Sequence, residues 1–187
     1  MFPLIENLES HFGKIKNGWN ADEWADPSIQ VVEFRDGKVP GVTVFSTLGL
    51  SSFPLQSTVS AKQIRQELFI MVKDGQVHPR IPAVLDLVAR ERVRTDTPIL
   101  RGEVIHKQDR LLEGRSFVAL FATLLIYYDH DFWTFHDDER GDVVFSWLLP
   151  IRDGESSYIS QNGWADFEAF IDKARFDLFD LDRPNLI

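Results

Sequence analysis

The residues of this 187-residue chain best suited to chemistry lie between positions 129 and 139. Asp129-His130-Asp131 and His136-Asp137-Asp138-Glu139 bring imidazoles and carboxylates into one short segment, a donor set that suits zinc or a harder divalent ion. On a strand followed by a turn, His130 and His136 share parity and face one side. The spacing matches no recognised metal pattern, and a solvated turn is the simpler reading. Gly49-Leu50-Ser51-Ser52-Phe53 starts like a nucleophile elbow, yet Phe53 stands where the second glycine is required. The chain contains no glycine-rich phosphate loop and no His-Glu-x-x-His helix. His11, His78 and His106 are scattered and read as surface or capping residues. Neither catalysis nor a metal or cofactor is expected.

Composition narrows the partners. There is no cysteine, which removes disulfides, thiolate metal sites and thiol nucleophiles and fits a reducing compartment. Acidic side chains number 29 against 20 basic, a formal net charge of −9. That field repels phosphate backbones and anionic lipid surfaces and speeds encounter with a cationic protein. The N-terminal residues lack a basic, long apolar secretory signal. The longest apolar run, Phe117 to Tyr128, is too short to span a bilayer and ends in charge. A cytoplasmic protein that binds neither nucleic acid nor membrane is expected.

The elements that must position these residues are organised around Gly41 to Val72. Val42 to Thr47 is β-branched and aromatic, and Ile64, Leu68, Ile70 and Val72 recur with period two, so two strands joined by a long loop are expected. Upstream, Leu4, Ile5, Leu8, Phe12 and Ile15 predict an amphipathic helix over about 3–16, stopped at Asn17-Gly18. Trp19 and Trp24 fall in a polar loop, and Gln30 to Phe34 pairs across Asp36-Gly37 with the strand at Val42 as a first hairpin. Downstream, Ile81, Val84, Leu85 and Val88 predict a helix, Ile99 to Ile105 a short strand interrupted by Gly102, and Lys107 to Gly114 a loop. Phe117 to Tyr128 reads as a strand, and Phe132 to Phe135 as its continuation or a new one. Val143 to Leu149 is a strand that ends at Pro150 or lies at an edge. Glu155 to Gln161 and the Trp164, Phe167, Phe170, Ile171 face form two closing helices separated by Gly163. One domain over 1–187 follows, of α+β class, with a largely antiparallel or mixed β-sheet of about six to eight strands flanked by helices.

Thr47-Leu-Gly-Leu-Ser51, Arg65-Gln-Glu-Leu68, Gly102-Glu103-Val104, Trp147-Leu-Leu-Pro-Ile151, Glu155 with Tyr158 and Gly163, and Asp182-Arg-Pro184 occur in an order and spacing that resemble the suppressor-of-fused domain, from about residue 31 to 187. The resemblance implies a protein-binding α/β domain without catalytic residues or cofactor. In the animal members such a domain is half of a two-domain clamp that restrains a transcription factor in Hedgehog signalling. Bacterial single-domain members resemble immunity proteins of polymorphic toxin systems, and that role is the one this chain is expected to share. Glu103 falls near an acidic position that the animal proteins use for peptide binding.

The leading expectation is therefore an immunity or antitoxin protein that neutralises a basic toxin domain. Glu103, Asp129, Asp131, Asp137 and Asp138 would steer the partner, and Tyr128 and Trp133 would anchor it as exposed aromatics. A second reading is regulatory peptide capture by strand addition at a sheet edge, near Pro150 or at the first hairpin. A third is an enzyme with an unrecognised metal site at 129–139.

Overall fold

The computed structural model describes residues 2–20, 29–106, 111–124, 126–174 and 176–187. Trp24 and the start of the expected loop at Lys107 to Gly114 lie outside the described residues. The elements in chain order are α1 (Phe2–Phe12), β1 (Gly13–Asn20), β2 (Gln30–Asp36), β3 (Val42–Leu48), β4 (Leu55–Gln56), β5 (Gln63–Lys73), α2 (Ile81–Thr95), β6 (Val104–His106), β7 (Phe117–Thr123), β8 (Thr134–Phe135), β9 (Val143–Arg152), α3 (Asp153–Asn162) and α4 (Trp164–Ala174).

One mixed sheet runs in the order β1-β2-β3-β5-β9-β7-β6, with β4 added to β5 and β8 to β9. The α+β expectation holds, and the nine strands among the described residues exceed the expected range through two-residue strands that periodicity cannot register. Every pairing is antiparallel except β5 with β9 at the centre. A central parallel pair is covered on both faces and so reads as a continuous apolar run. In β5, Leu68, Ile70 and Val72 enter one core with the α2 residues Ile81, Val84, Leu85 and Val88. Phe69 and Met71 enter the other, with Leu4, Leu8 and Phe12 of α1, Phe167 and Ile171 of α4, and Leu178 and Phe179 of the tail. Along β7 a register shift between Phe117 and Ala119 puts Phe117 and Leu120 in the same core despite their odd spacing.

Several boundaries differ from expectation. The N-terminal helix ends at Phe12, and Ile15 belongs to β1, an edge strand paired with β2. Gly13 makes the switch: its φ is +84°, and an added Cβ would lie 1.8 Å from the Arg35 carbonyl oxygen. Only glycine lets the chain leave the helix and drop at once onto β2. Asn17-Gly18 is accordingly strand, opposite Glu33 and Val32, rather than a helix stop. A bulge at Lys16 and the exposed lysines 14 and 16 blunt this outer edge against further pairing. The first hairpin, β2–β3, forms as expected, but each of its strands has a second neighbour, so it offers no free edge for strand addition.

Strand β9 continues through Pro150 to Arg152. Its ladder with β5 stops at Trp147 while β7 pairs on to Arg152. The open side at Pro150 is closed by the tail, where the Arg183 guanidinium donates to the Pro150 carbonyl at 2.8 Å. Strand β6 begins only at Val104, because Leu100 to Glu103 forms a turn closed by the Glu103 amide on the Leu100 carbonyl at 3.1 Å. Strand β7 ends at Thr123, and Tyr127 and Tyr128 fall in a loop beyond it. Phe132 and Trp133 lie in a 3-10 turn before β8.

Candidate functional site

A dense buried polar cluster is centred on Glu67, outside the 129–139 segment, and it holds the chain. Glu67 is fully buried. Its carboxylate accepts the Thr47 hydroxyl at 2.5 Å, the Gly49 amide at 2.9 Å, and the Ser51 amide and hydroxyl at 3.1 and 2.7 Å. Burial pushes this carboxyl above its ordinary value, and the four donors pull it back down. The Thr47 oxygen also accepts the Leu68 amide at 2.8 Å, and Arg65 donates to the Ser51 carbonyl at 2.8 Å. Ser51 is thus a rivet in the loop after β3, its amide and hydroxyl both held by the buried Glu67.

The residues between 129 and 139 divide by role. Asp129 and Asp131 are exposed on the 3-10 turn, as is Asp138 farther on. Trp133 is half-buried with its ring 4.5 Å from that of His130. Asp137 accepts the Glu139 and Arg140 amides, each at 3.0 Å, and these hold its carboxyl below the usual carboxylate range. His136 contacts Asp142 at 2.8 Å. Among the described residues, no three His, Asp or Glu side chains are grouped to hold a metal ion.

Tyr128 is a correction. It is 8% exposed, edge-on to Phe12 at 5.2 Å and tilted against Phe132, and so belongs to the core instead of standing out as an anchor. Burial pushes its phenol up. Glu103 stands apart from the acidic turn, just before β6, where Arg92 of α2 donates to it at 2.6 Å.

Three large apolar side chains that the sequence reading assigned to a strand or a packed helix face stand partly in solvent. Ile126, Tyr127 and Trp164 are 43%, 41% and 40% exposed. They flank two adjoining cavities of about 410 and 520 Å³, whose linings share Ile126, Ile171 and Asp172. Trp164 is held by two contacts. The Arg101 guanidinium lies 5.3 Å above its ring and is itself bound by Glu168 at 2.6 and 3.1 Å, while Glu168 also accepts the Thr123 hydroxyl at 2.7 Å. The indole also covers Gly102, whose φ is +89° and where an added Cβ would sit 2.4 Å from the ring. Gly102→Ala is expected to displace the indole and cost roughly 1–2 kcal/mol through the left-handed backbone alone. A lowered denaturation midpoint and a shifted Trp164 indole N–H resonance would register both effects; an unmoved resonance would show that Gly102 does not seat the ring. The sequence signal for this surface was the Trp164, Ala165, Ala169 spacing, which leaves a helix face with little to bury.

The same scaffold is found in known proteins. The family model described as suppressor of fused protein matches residues 25–184. A suppressor-of-fused homologue from Neisseria gonorrhoeae, solved as a crystal structure, superposes with a TM-score of 0.75 at 19% identity, covering 98% of this chain and 94% of its own. A chain of the crystal structure of the Sufu–Fu complex gives a TM-score of 0.71 at 14% identity, with 99% and 91% covered. Drosophila Suppressor of Fused gives 0.59 at 15% identity, with 84% of this chain but only 42% of the fly protein covered. No curated protein sequence matches the chain significantly. Among the described residues, no helix is long and apolar enough to cross a membrane.

Proposed function

The chain belongs to the suppressor of fused family, and from that premise we propose that it is a non-enzymatic, cytoplasmic protein-binding domain that neutralises a basic protein, most specifically a toxin domain, as an immunity protein does. The observation that carries this reading is the acidic surface: a net charge of −9, with Asp129, Asp131, Asp138, Glu139 and Asp142 exposed around one turn segment. Such a field raises the association rate with a cationic partner and rejects nucleic acid. A relative is known in complex with a protein, Fu, which supports binding as the family's mode of action. In this reading Asp129, Asp131, Asp137, Asp138 and, from its separate position, Glu103 steer the partner, and Trp133 contributes contact area at the same segment.

Co-expression with a toxin encoded beside this chain should restore growth and yield a stable complex. The association rate should fall at least about tenfold as ionic strength rises from low to physiological values and beyond. Asp131→Lys and Asp138→Lys should slow association while leaving dissociation nearly unchanged, because charges at a rim act on encounter. Unrescued growth together with no complex would remove the neutralising role.

A further inference from the structure

We propose that the trough between α4 and the Ile126–Tyr127 shoulder seats a segment of the protein partner in which an aliphatic side chain is flanked by lysine or arginine. This deepens the protein-binding reading above and places part of the contact away from the acidic turn.

Three features of the trough specify its occupant. The first is its apolar shoulder. Three of the seven large hydrophobic side chains exposed among the described residues, Ile126, Tyr127 and Trp164, stand on its walls. Exposed apolar residues scattered singly need no explanation, whereas a cluster around a concavity marks an interaction site. The second is its floor. Ala165 and Ala169 lie one turn apart on α4 and line the first cavity, leaving depth for an inserted aliphatic side chain. The third is its charge. Among the described residues, the one lining cation is Arg101, and it is occupied by Glu168. Asp177 shares Lys73 with Asp180, at 3.0 and 2.8 Å, so one ammonium serves two carboxylates. Asp172 lies on the wall common to both cavities. The described lining is therefore acidic as well as apolar, which favours a cationic, amphipathic segment and disfavours an acidic one.

The test is titration of the full chain with three synthetic peptides of equal length: alternating leucine and lysine, alternating leucine and glutamate, and alternating serine and lysine. The leucine–lysine peptide should bind at least about tenfold more tightly than either control, since each control lacks one half of the recognition. Ala169→Arg should weaken that binding at least about tenfold by filling the floor, and Asp172→Lys should weaken it and flatten its salt dependence. Both positions are exposed, so an unchanged thermal melt is expected; Ala165→Arg repeats the experiment one turn earlier should the first variant misfold. Equal affinity for leucine–glutamate, or indifference to the arginine variants, would overturn the proposal. So would a dimer in sedimentation that Ala169→Arg dissociates, because a second copy would then be the occupant. A toxin complex that forms without the trough refutes the trough alone, whereas peptide binding without any toxin complex refutes only neutralisation.

Discussion

Arg183→Ala is expected to lower folding stability by about 3–5 kcal/mol, the range for breaking one partner of a buried ion pair. Arg183 is 4% exposed and Glu155 fully buried. The guanidinium meets both carboxylate oxygens, at 2.5 and 3.1 Å, and the Pro150 carbonyl at 2.8 Å, with the Phe117 ring 5.5 Å beneath it. Glu155 also accepts the Arg152 amide at 2.8 Å, which caps α3, and the Leu186 amide at 3.1 Å, which holds the tail. Arg152 completes the knot by donating to the Arg183 carbonyl at 2.5 Å and to the Ser116 hydroxyl. Alanine at 183 would strand a carboxylate in the core and free the one group that closes the open side of β9 at Pro150. The double variant Arg183→Met with Glu155→Gln should recover part of the loss, because the carboxamide removes the unpaired charge while its oxygen can still accept the Arg152 and Leu186 amides. Chemical denaturation of the single and double variants measures this directly; a single-variant loss below about 1 kcal/mol would mean that water reaches Glu155 and that the pair is not buried in solution.

Part of the resemblance visible in the sequence has a structural reason. Several of its pieces are places where distant parts of the chain are tied together. Arg65 and Glu67 fasten the Thr47 to Ser51 loop, Glu155 and Arg183 fasten the tail across α3 and β9, and Gly102 makes room for Trp164. Buried polar ties of this kind demand particular residue types, so they leave a signature that can be read without a structure. The two cores were legible for the same kind of reason: period two in β5 and helical spacing in α2 follow from what each face must bury. The proposed trough was not. Tyr127 and Tyr128 are neighbours of one residue type, yet one rests on Phe179 with an edge open to the trough and the other is buried against Phe12. An apolar run read as one strand would have alternated its side chains to its end, but β7 stops at Thr123 and the loop after it obeys no period. The helix-to-strand switch at Gly13 was hidden likewise, because Ile15 keeps the helical spacing while belonging to β1.

The second large effect is expected at Glu67, where Glu67→Ala should cost roughly 3 kcal/mol, since it leaves buried amides and hydroxyls without their acceptor. Gly49 and Ser51 would lose the oxygen that turns the chain after β3, and Arg65 the fixed carbonyl it holds. Glu67→Gln should be milder, because its amide oxygen can keep the Gly49 and Ser51 donors and its nitrogen can donate to the Thr47 oxygen. The two forms separate further with pH. Burial raises the Glu67 carboxyl above 4.5, so the native state binds its proton more tightly than the unfolded chain does. The stability this group contributes is therefore full below its unfolded value and is lost as pH rises through the folded one. Glutamine does not titrate. The stability difference between wild type and Glu67→Gln should accordingly move in favour of the variant as pH rises from about 4 towards 8, measured by urea unfolding at each pH. A difference that stays constant across that range would show that the four donors offset burial completely, and one that moves the other way would show that they outweigh it.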